Sequence, residues 1–278
     1  MTVTVAVPLH RSRRWVDNVE ANVRRLPAEV TEVLISDATV EDDAAEVLSA
    51  RLADDDRVTV LARAEELTWF EHYQDLVERA TGDLCSWLPH DDDFDASWVP
   101  ALRAGLAENP TAWLAFGRVL GVRADGATAT TWQPPPIRSG LLEGVEVLDL
   151  ALAQQAWQPF RGLFRRREVL AAGIGMEPYG DYPGVDMTWT LAVGLRSGWV
   201  SVPTTSTRKR YHDANTHTTF RQAPGDHQRA ALEMVRRFGP GGVEGARMRL
   251  TARRATLRVV SRHQTSRVRG RLHRLLPR

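Results

Sequence analysis

Ala80-Thr81-Gly82-Asp83-Leu84-Cys85-Ser86-Trp87-Leu88-Pro89-His90-Asp91-Asp92-Asp93-Phe94 carries the densest signal in the chain. A turn around Gly82 opens an apolar run over 84–88, and that run delivers three adjacent aspartates to a loop. Adjacent like charges repel unless a cation or solvent relieves them. An acidic run by itself reads as a solvated turn or a helix N-cap, because aspartate favours both. Its meaning here depends on which edge of the fold it occupies.

The upstream sequence answers that question. Val3 to Val7 is a β-branched apolar run that Pro8 closes, and a helix is predicted over 15–25. Glu32-Val33-Leu34-Ile35-Ser36 predicts a second strand ending at Asp37, followed by a helix over 40–52. Residues 58–61 predict a third strand and 69–80 a third helix, which leads into the run before Asp91. Strands alternating with helices in units of about thirty residues predict a mostly parallel sheet covered on both faces, with ligand chemistry at the carboxyl ends of its strands. Pro8, Asp37 and Asp91 all fall at such ends. The turn from Pro8 to Arg14 has no glycine, which argues against a dinucleotide-binding loop.

Downstream, a helix is predicted over 98–107, a strand over 113–122, an extended loop at Thr131-Trp132-Gln133-Pro134-Pro135-Pro136, and helices over 144–155 and 186–197. The chain has 278 residues, 43% hydrophobic and 26% charged, enough apolar material for one large core or two small ones. Its one cysteine, Cys85, offers neither a disulfide nor a thiolate metal set and reads as a small core residue. With no membrane-length apolar run and no cationic start, a cytoplasmic location is expected.

The ordered series of motifs resembles the inverting family 2 of GT-A glycosyltransferases. The resemblance rests on Val3 through His10, Val33 through Asp37, Ala80-Thr81-Gly82-Asp83-Leu84 leading to Asp91-Asp92, Gly162-Leu163-Phe164-Arg165-Arg166, and Asp186 followed by a helix and Arg196-Ser197-Gly198-Trp199. It spans residues 3–217 and implies a GT-A fold: a Rossmann-like, mostly parallel sheet flanked by helices. It implies a nucleotide-sugar-binding half over 1–100 and an acceptor-binding and catalytic-base half over 101–220, with a helical, arginine-rich extension over 221–278.

The activity it implies is metal-dependent, inverting transfer of a sugar from a nucleotide-sugar donor, UDP-linked by preference, to a hydroxyl acceptor. That acceptor would be a glycan, a lipid-linked sugar or a small molecule, in cell-surface glycan or glycosylated natural-product synthesis. Pro8, Leu9, His10, Asp37, Arg63 and Asp91 would contact the nucleotide sugar. Asp92, Asp93 and His212 would hold Mn²⁺ or Mg²⁺, and Asp186 would be the catalytic base, with Asp181 in reserve. Hard oxygen ligands suit such a cation, which offsets charge on a departing diphosphate.

Plainer readings stand beside these. Asp37 is a common turn residue, Asp186 a possible cap for its own helix, and His212 a histidine satisfying a carbonyl. Arg165 and Arg166 read either as surface charges or as phosphate contacts, and Trp69, Trp157 and Trp199 as core or pocket wall. Two other functions compete: a nucleotidyltransferase, which would want a lysine-bearing glycine loop, and a sugar-nucleotide binding module without turnover.

The formal charge of +1 conceals an uneven distribution, since all 35 acidic residues precede Gly245 and eleven arginines lie from Arg247 onward. Met248, Ala252, Ala255 and Val259 form one helical stripe among those arginines. A basic amphipathic helix of this kind lies on an anionic membrane, contacts nucleic acid or docks on its parent domain. Without aromatic residues after Phe238 it has no base-stacking platform, which disfavours nucleic acid. A peripheral position at the inner membrane face and a solvated, partly disordered tail are therefore level expectations for the extension.

Overall fold

The structure, a computed structural model, describes residues 1–38, 42–62, 66–123, 127–128, 134–180, 182–212 and 223–275, with side chains to Ser261 except Ala62 and Val260. Arg63 and Asp181 lie outside the described residues, as do positions 131–133 of the proline-rich loop.

Four parallel strands form one half of a nine-stranded sheet: β1 (Val3–Leu9), β2 (Val30–Asp37), β3 (Val58–Ala62) and β4 (Leu84–Trp87). The sheet order runs β3-β2-β1-β4 and continues through β8 (Leu163–Arg165), β6 (Leu114–Arg123) and β9 (Trp199–Tyr211) to β5 (Asp93–Phe94), while β7 (Gly140–Leu142) pairs with β9. β8 runs antiparallel to β4 and β6; β5 and β7 run antiparallel to β9, and β6 is parallel to β9. Six strands therefore share one direction, as the alternating pattern predicted.

The alternation within β1 explains the layering. Val3, Val5 and Val7 join the core beneath α1 (Val16–Arg24), α2 (Ala44–Arg51) and α4 (Trp98–Glu108), whereas Ala6 faces the opposite core. Buried on both faces, the strand reads as a continuous apolar run. The opposite core takes Leu76 and Val77 of α3 (Trp69–Arg79) and Val147 and Leu148 of α5 (Gly144–Leu152). It also takes Val169 of α6 (Arg166–Ala171), Leu191 of α7 (Val185–Ser197) and Met234 of α8 (Asp226–Phe238). α3 starts where Thr68 and Glu71 form a reciprocal capping box. Cys85 is fully buried, and burial pushes its thiol up to about 12, which suits a core residue rather than a nucleophile.

Pro8 does not end the first strand. It pairs with Ser36, and β1 continues to Leu9 opposite Asp37. β9 carries no strong apolar alternation and goes unpredicted, whereas α8 falls within the helical extension expected from residue 221 onward. In the long helix α9 (Gly242–Leu275), Met248 and Ala252 are fully buried where α9 packs on α8 and α5, which favours docking on the parent domain among the three readings of the stripe. That part of the apolar stripe docks on the parent domain and is not a free face. Among the described residues, no helix is long and apolar enough to cross a membrane.

Gly82 shows why the turn before β4 needs glycine. Its amide donates to Thr4 Oγ1 at 2.9 Å, and a Cβ there would meet Thr4 Oγ1 at 2.6 Å and the Thr4 amide nitrogen at 2.7 Å. Gly82→Ala is expected to cost about 1–3 kcal/mol through overpacking, read as a lowered urea midpoint. Gly241→Ala, with open space around the site, should leave that midpoint unchanged.

Candidate active site

The strand order changes direction between β1 and β4, with β2 and β3 on one side and β8 on the other. At such a switch point the loops leaving adjacent strands part and open a crevice at the strands' carboxyl edge. Leu9-His10 and the turn Pro89 to Asp93 border it. His90 Nδ1 lies 3.3 Å from the Pro8 carbonyl, and the Asp92 amide donates to the Pro89 carbonyl at 3.0 Å.

The acidic turn is held from behind by α1. Asn18 Nδ2 donates to the carbonyls of His90 and Asp92 at 2.9 and 3.0 Å, and Asn22 Nδ2 donates to the Asp92 carbonyl at 2.9 Å. One helical turn apart, the two amides face the same loop. Neither residue stood out in the sequence, although Asn22 is 1% exposed and a buried asparagine at that spacing marks a satisfied polar contact.

Each aspartate has its own hydrogen-bonding or charged partner. Asp91 receives His212 Nε2 at 2.9 Å, and Arg14 approaches the other imidazole nitrogen at 3.3 Å. Burial alone would raise the Asp91 carboxyl, but the His212 hydrogen bond and neighbouring positive charges outweigh it and hold the group well below the ordinary range. Asp92 is buried: one oxygen receives Arg161 Nε at 2.7 Å and the other the Arg210 amide at 3.1 Å. Burial moves its carboxyl upward, with Arg161 opposing. Asp93 binds Arg25 at 3.0 Å and Arg210 at 3.1 Å. Asp95 joins them by accepting the Ser206 amide at 3.0 Å and Arg208 at 3.1 Å. The loop is thus stitched to β9, a strand more than a hundred residues downstream.

Asp186 is the second residue of α7 and accepts the Met187 amide at 2.9 Å, so it does stand at a helix start. It also contributes to the electrostatics of Tyr73 and Lys209, as do Asp91 and Asp92. Three carboxylates therefore act on the same phenol and the same ammonium. Tyr73 sits on an aromatic floor, 5.0 Å from Trp87 and 5.3 Å from Phe160 between ring centres, and burial raises its phenol well above the ordinary value. Asp37 is 2% exposed at the end of β2. His10 is lowered, first by burial and next by Arg11.

Arg165 and Arg166, read either as surface charges or as phosphate contacts, have backbone partners instead. Arg165 donates to the carbonyls of Ala112 and Leu106 at 2.9 Å each, and Arg166 to that of Gly82 at 3.0 Å. Both staple the backbone. Arg161, which sequence reasoning passed over, is the arginine that enters the crevice. Trp199 is core, fully buried with Nε1 donating to the Thr190 carbonyl at 3.0 Å. Trp157 lies at the site, beneath Arg161 and Lys209 at 5.8 and 5.4 Å from its ring centre.

The donor set fits a divalent cation of modest protein coordination. The Asp91 carboxylate and His212 imidazole converge, pairing a hard oxygen with a nitrogen. Among the described residues, no group of three His, Cys, Asp or Glu side chains has metal-holding geometry. Mg²⁺ and Mn²⁺ accept such a sparse protein set when phosphate oxygens and water complete the shell.

The sheet, the switch-point crevice and the acidic turn define an α/β protein of the GT-A architecture. Solved structures of S. aureus TarS share it. The complex with UDP-GlcNAc aligns with a TM-score of 0.70 at 11% identity, covering 89% of this chain and 69% of that one. The complex with UDP gives 0.69 at 11%, covering 90% and 70%, and a further TarS structure gives 0.67 at 10%, covering 89% and 42%. No curated protein matches in sequence. The family model for glycosyl transferase family 2 matches residues 4–156. The chain belongs to glycosyl transferase family 2, and it is a glycosyltransferase, which decides against nucleotidyl transfer.

The buried Asp92–Arg161 pair gives a stability prediction. Arg161→Met strands a buried carboxylate and is expected to cost about 3–5 kcal/mol, whereas Asp92→Leu with Arg161→Met should lie much closer to wild type. Chemical denaturation of the three proteins reads the difference. A single-variant loss below about 1 kcal/mol would place the pair in the class of solvated ion pairs.

Proposed function

We propose that the chain moves a sugar from a UDP-linked donor to a hydroxyl acceptor in one inverting, metal-assisted displacement. The observation that carries this reading is the acidic turn at the switch-point edge of the sheet, with Asp91 against His212 and Asp92 against Arg161. Asp37 and the Pro8–His10 segment hold the base and ribose at the ends of β2 and β1. Asp91 and His212 would hold Mn²⁺ or Mg²⁺, and such a cation would supply positive charge against the departing diphosphate. Asp92 and Asp93 act one step back, fixing Arg161, Arg25 and Arg210.

Asp186 takes the proton from the acceptor hydroxyl as its oxygen bonds to the anomeric carbon. The bond from that carbon to the phosphate oxygen breaks on the opposite face, which inverts the centre. α7 presents the carboxylate from its first turn. Wild-type protein is expected to bind UDP with Mn²⁺ and much more weakly without it, by calorimetry. Asp186→Asn should bind UDP as wild type does and lose roughly 10²–10⁴-fold in sugar transfer. Equal UDP binding without metal would overturn the metal assignment, and full turnover by Asp186→Asn the assignment of the base.

The partner surface on α9 is an anionic membrane. Val243, Leu250 and Leu257 are 88%, 47% and 69% exposed, fall seven residues apart on one side of the helix, and stand among exposed Arg247, Arg253, Arg254 and Arg258. An apolar ridge framed by cations suits a lipid interface, where side chains bury and arginines meet headgroups. Leu250→Asp with Leu257→Asp should abolish sedimentation with phosphatidylserine vesicles, leaving thermal stability intact. Unchanged sedimentation would remove the ridge from the account.

A further inference from the structure

The chain has a single lysine, and it stands at the crevice. Lys209 lies on β9 between two arginines that have partners of their own: Arg208 binds Asp95 and Arg210 binds Asp93. Strand alternation turns Lys209 to the other face, together with Tyr211. Its Nζ lies 5.4 Å from the Trp157 ring centre and 5.6 Å from that of Tyr211. Among the described residues the ammonium has no hydrogen bond or ion pair, although it has three donors to place. Arg161, the nearest cation, is already committed to Asp92. Burial and then Arg161 lower the ammonium to about 8, with Asp92, Asp186 and Asp91 opposing. Ring faces attract a cation but accept none of its hydrogen bonds in full.

We propose that Lys209 is the anion contact of this site, its ammonium binding a charged oxygen group of the donor. The inference rests on the nucleotide-sugar reading above and adds what the donor brings. Charged oxygens reach the crevice from two sources: the diphosphate, or a carboxylate carried by the transferred sugar. Either relieves the two neighbouring cations and supplies the missing acceptors, at the compact point charge that lysine provides and arginine does not. A neutral hexose supplies hydroxyls alone.

Lys209→Met keeps the stem that packs on Trp157 and Tyr211 and removes the charge; Lys209→Arg keeps the charge. Calorimetry with Mn²⁺ on wild type and both variants, using UDP, UDP-glucose and UDP-glucuronate, reads the contact. Lys209→Met is expected to lose about tenfold in affinity, with Lys209→Arg recovering part of it. Loss of equal size for all three ligands assigns the diphosphate. Loss confined to UDP-glucuronate, with wild type preferring it over UDP-glucose, assigns a sugar carboxylate. Wild-type affinity for all three in Lys209→Met overturns the proposal while leaving the donor reading intact. Failure of wild type to bind any of them overturns both.

Discussion

Three adjacent carboxylates in one turn, one of them buried, are unstable as a group unless each meets a positive or hydrogen-bonding partner. The rest of the crevice is organised by how this chain meets that constraint. Arg161 enters from the segment before β8 to face Asp92, Arg25 from the end of α1 to face Asp93, and His212 from beyond β9 to face Asp91. The arrangement joins the first four βα units to the later strands. Taking Arg161 away would leave a buried charge, so the pair is a constraint on the fold and a condition for the site at once.

That constraint explains which parts were legible in the sequence. β1 to β4 are apolar runs buried on both faces, and such runs announce themselves. Gly82 was legible because a close backbone approach needs a missing side chain. Asp91 to Asp93 were legible by placement, since they follow the fourth strand. The partners were not. Arg161 lies 69 residues from Asp92 in the chain, and nothing local separates it from Arg165 and Arg166, which bind backbone carbonyls instead. β9 stayed hidden because half of its length serves the site: Ser206, Arg208 and Arg210 are polar residues facing the acidic turn, and they break the apolar alternation of a strand. Its β-branched Thr204, Thr205 and Thr207 were the remaining signal.

The same tension runs through the basic extension. An apolar stripe at helical spacing states that a helix has an apolar face without stating what covers it. Met248 and Ala252 are covered by the chain's own α5 and α8, while Leu250 and Leu257 on the other side remain exposed among arginines. Tertiary packing used the stronger stripe and left a weaker one exposed.

On the proposed reading, Asp91 and His212 would receive the cation while Asp92 stays on Arg161. Anomalous diffraction at the manganese edge, from crystals soaked with UDP and Mn²⁺, tests it directly. The expected result is a metal peak bonded to the Asp91 carboxylate and the His212 imidazole, with the Asp92–Arg161 ion pair intact. A peak bonded to Asp92 with Arg161 displaced would contradict it.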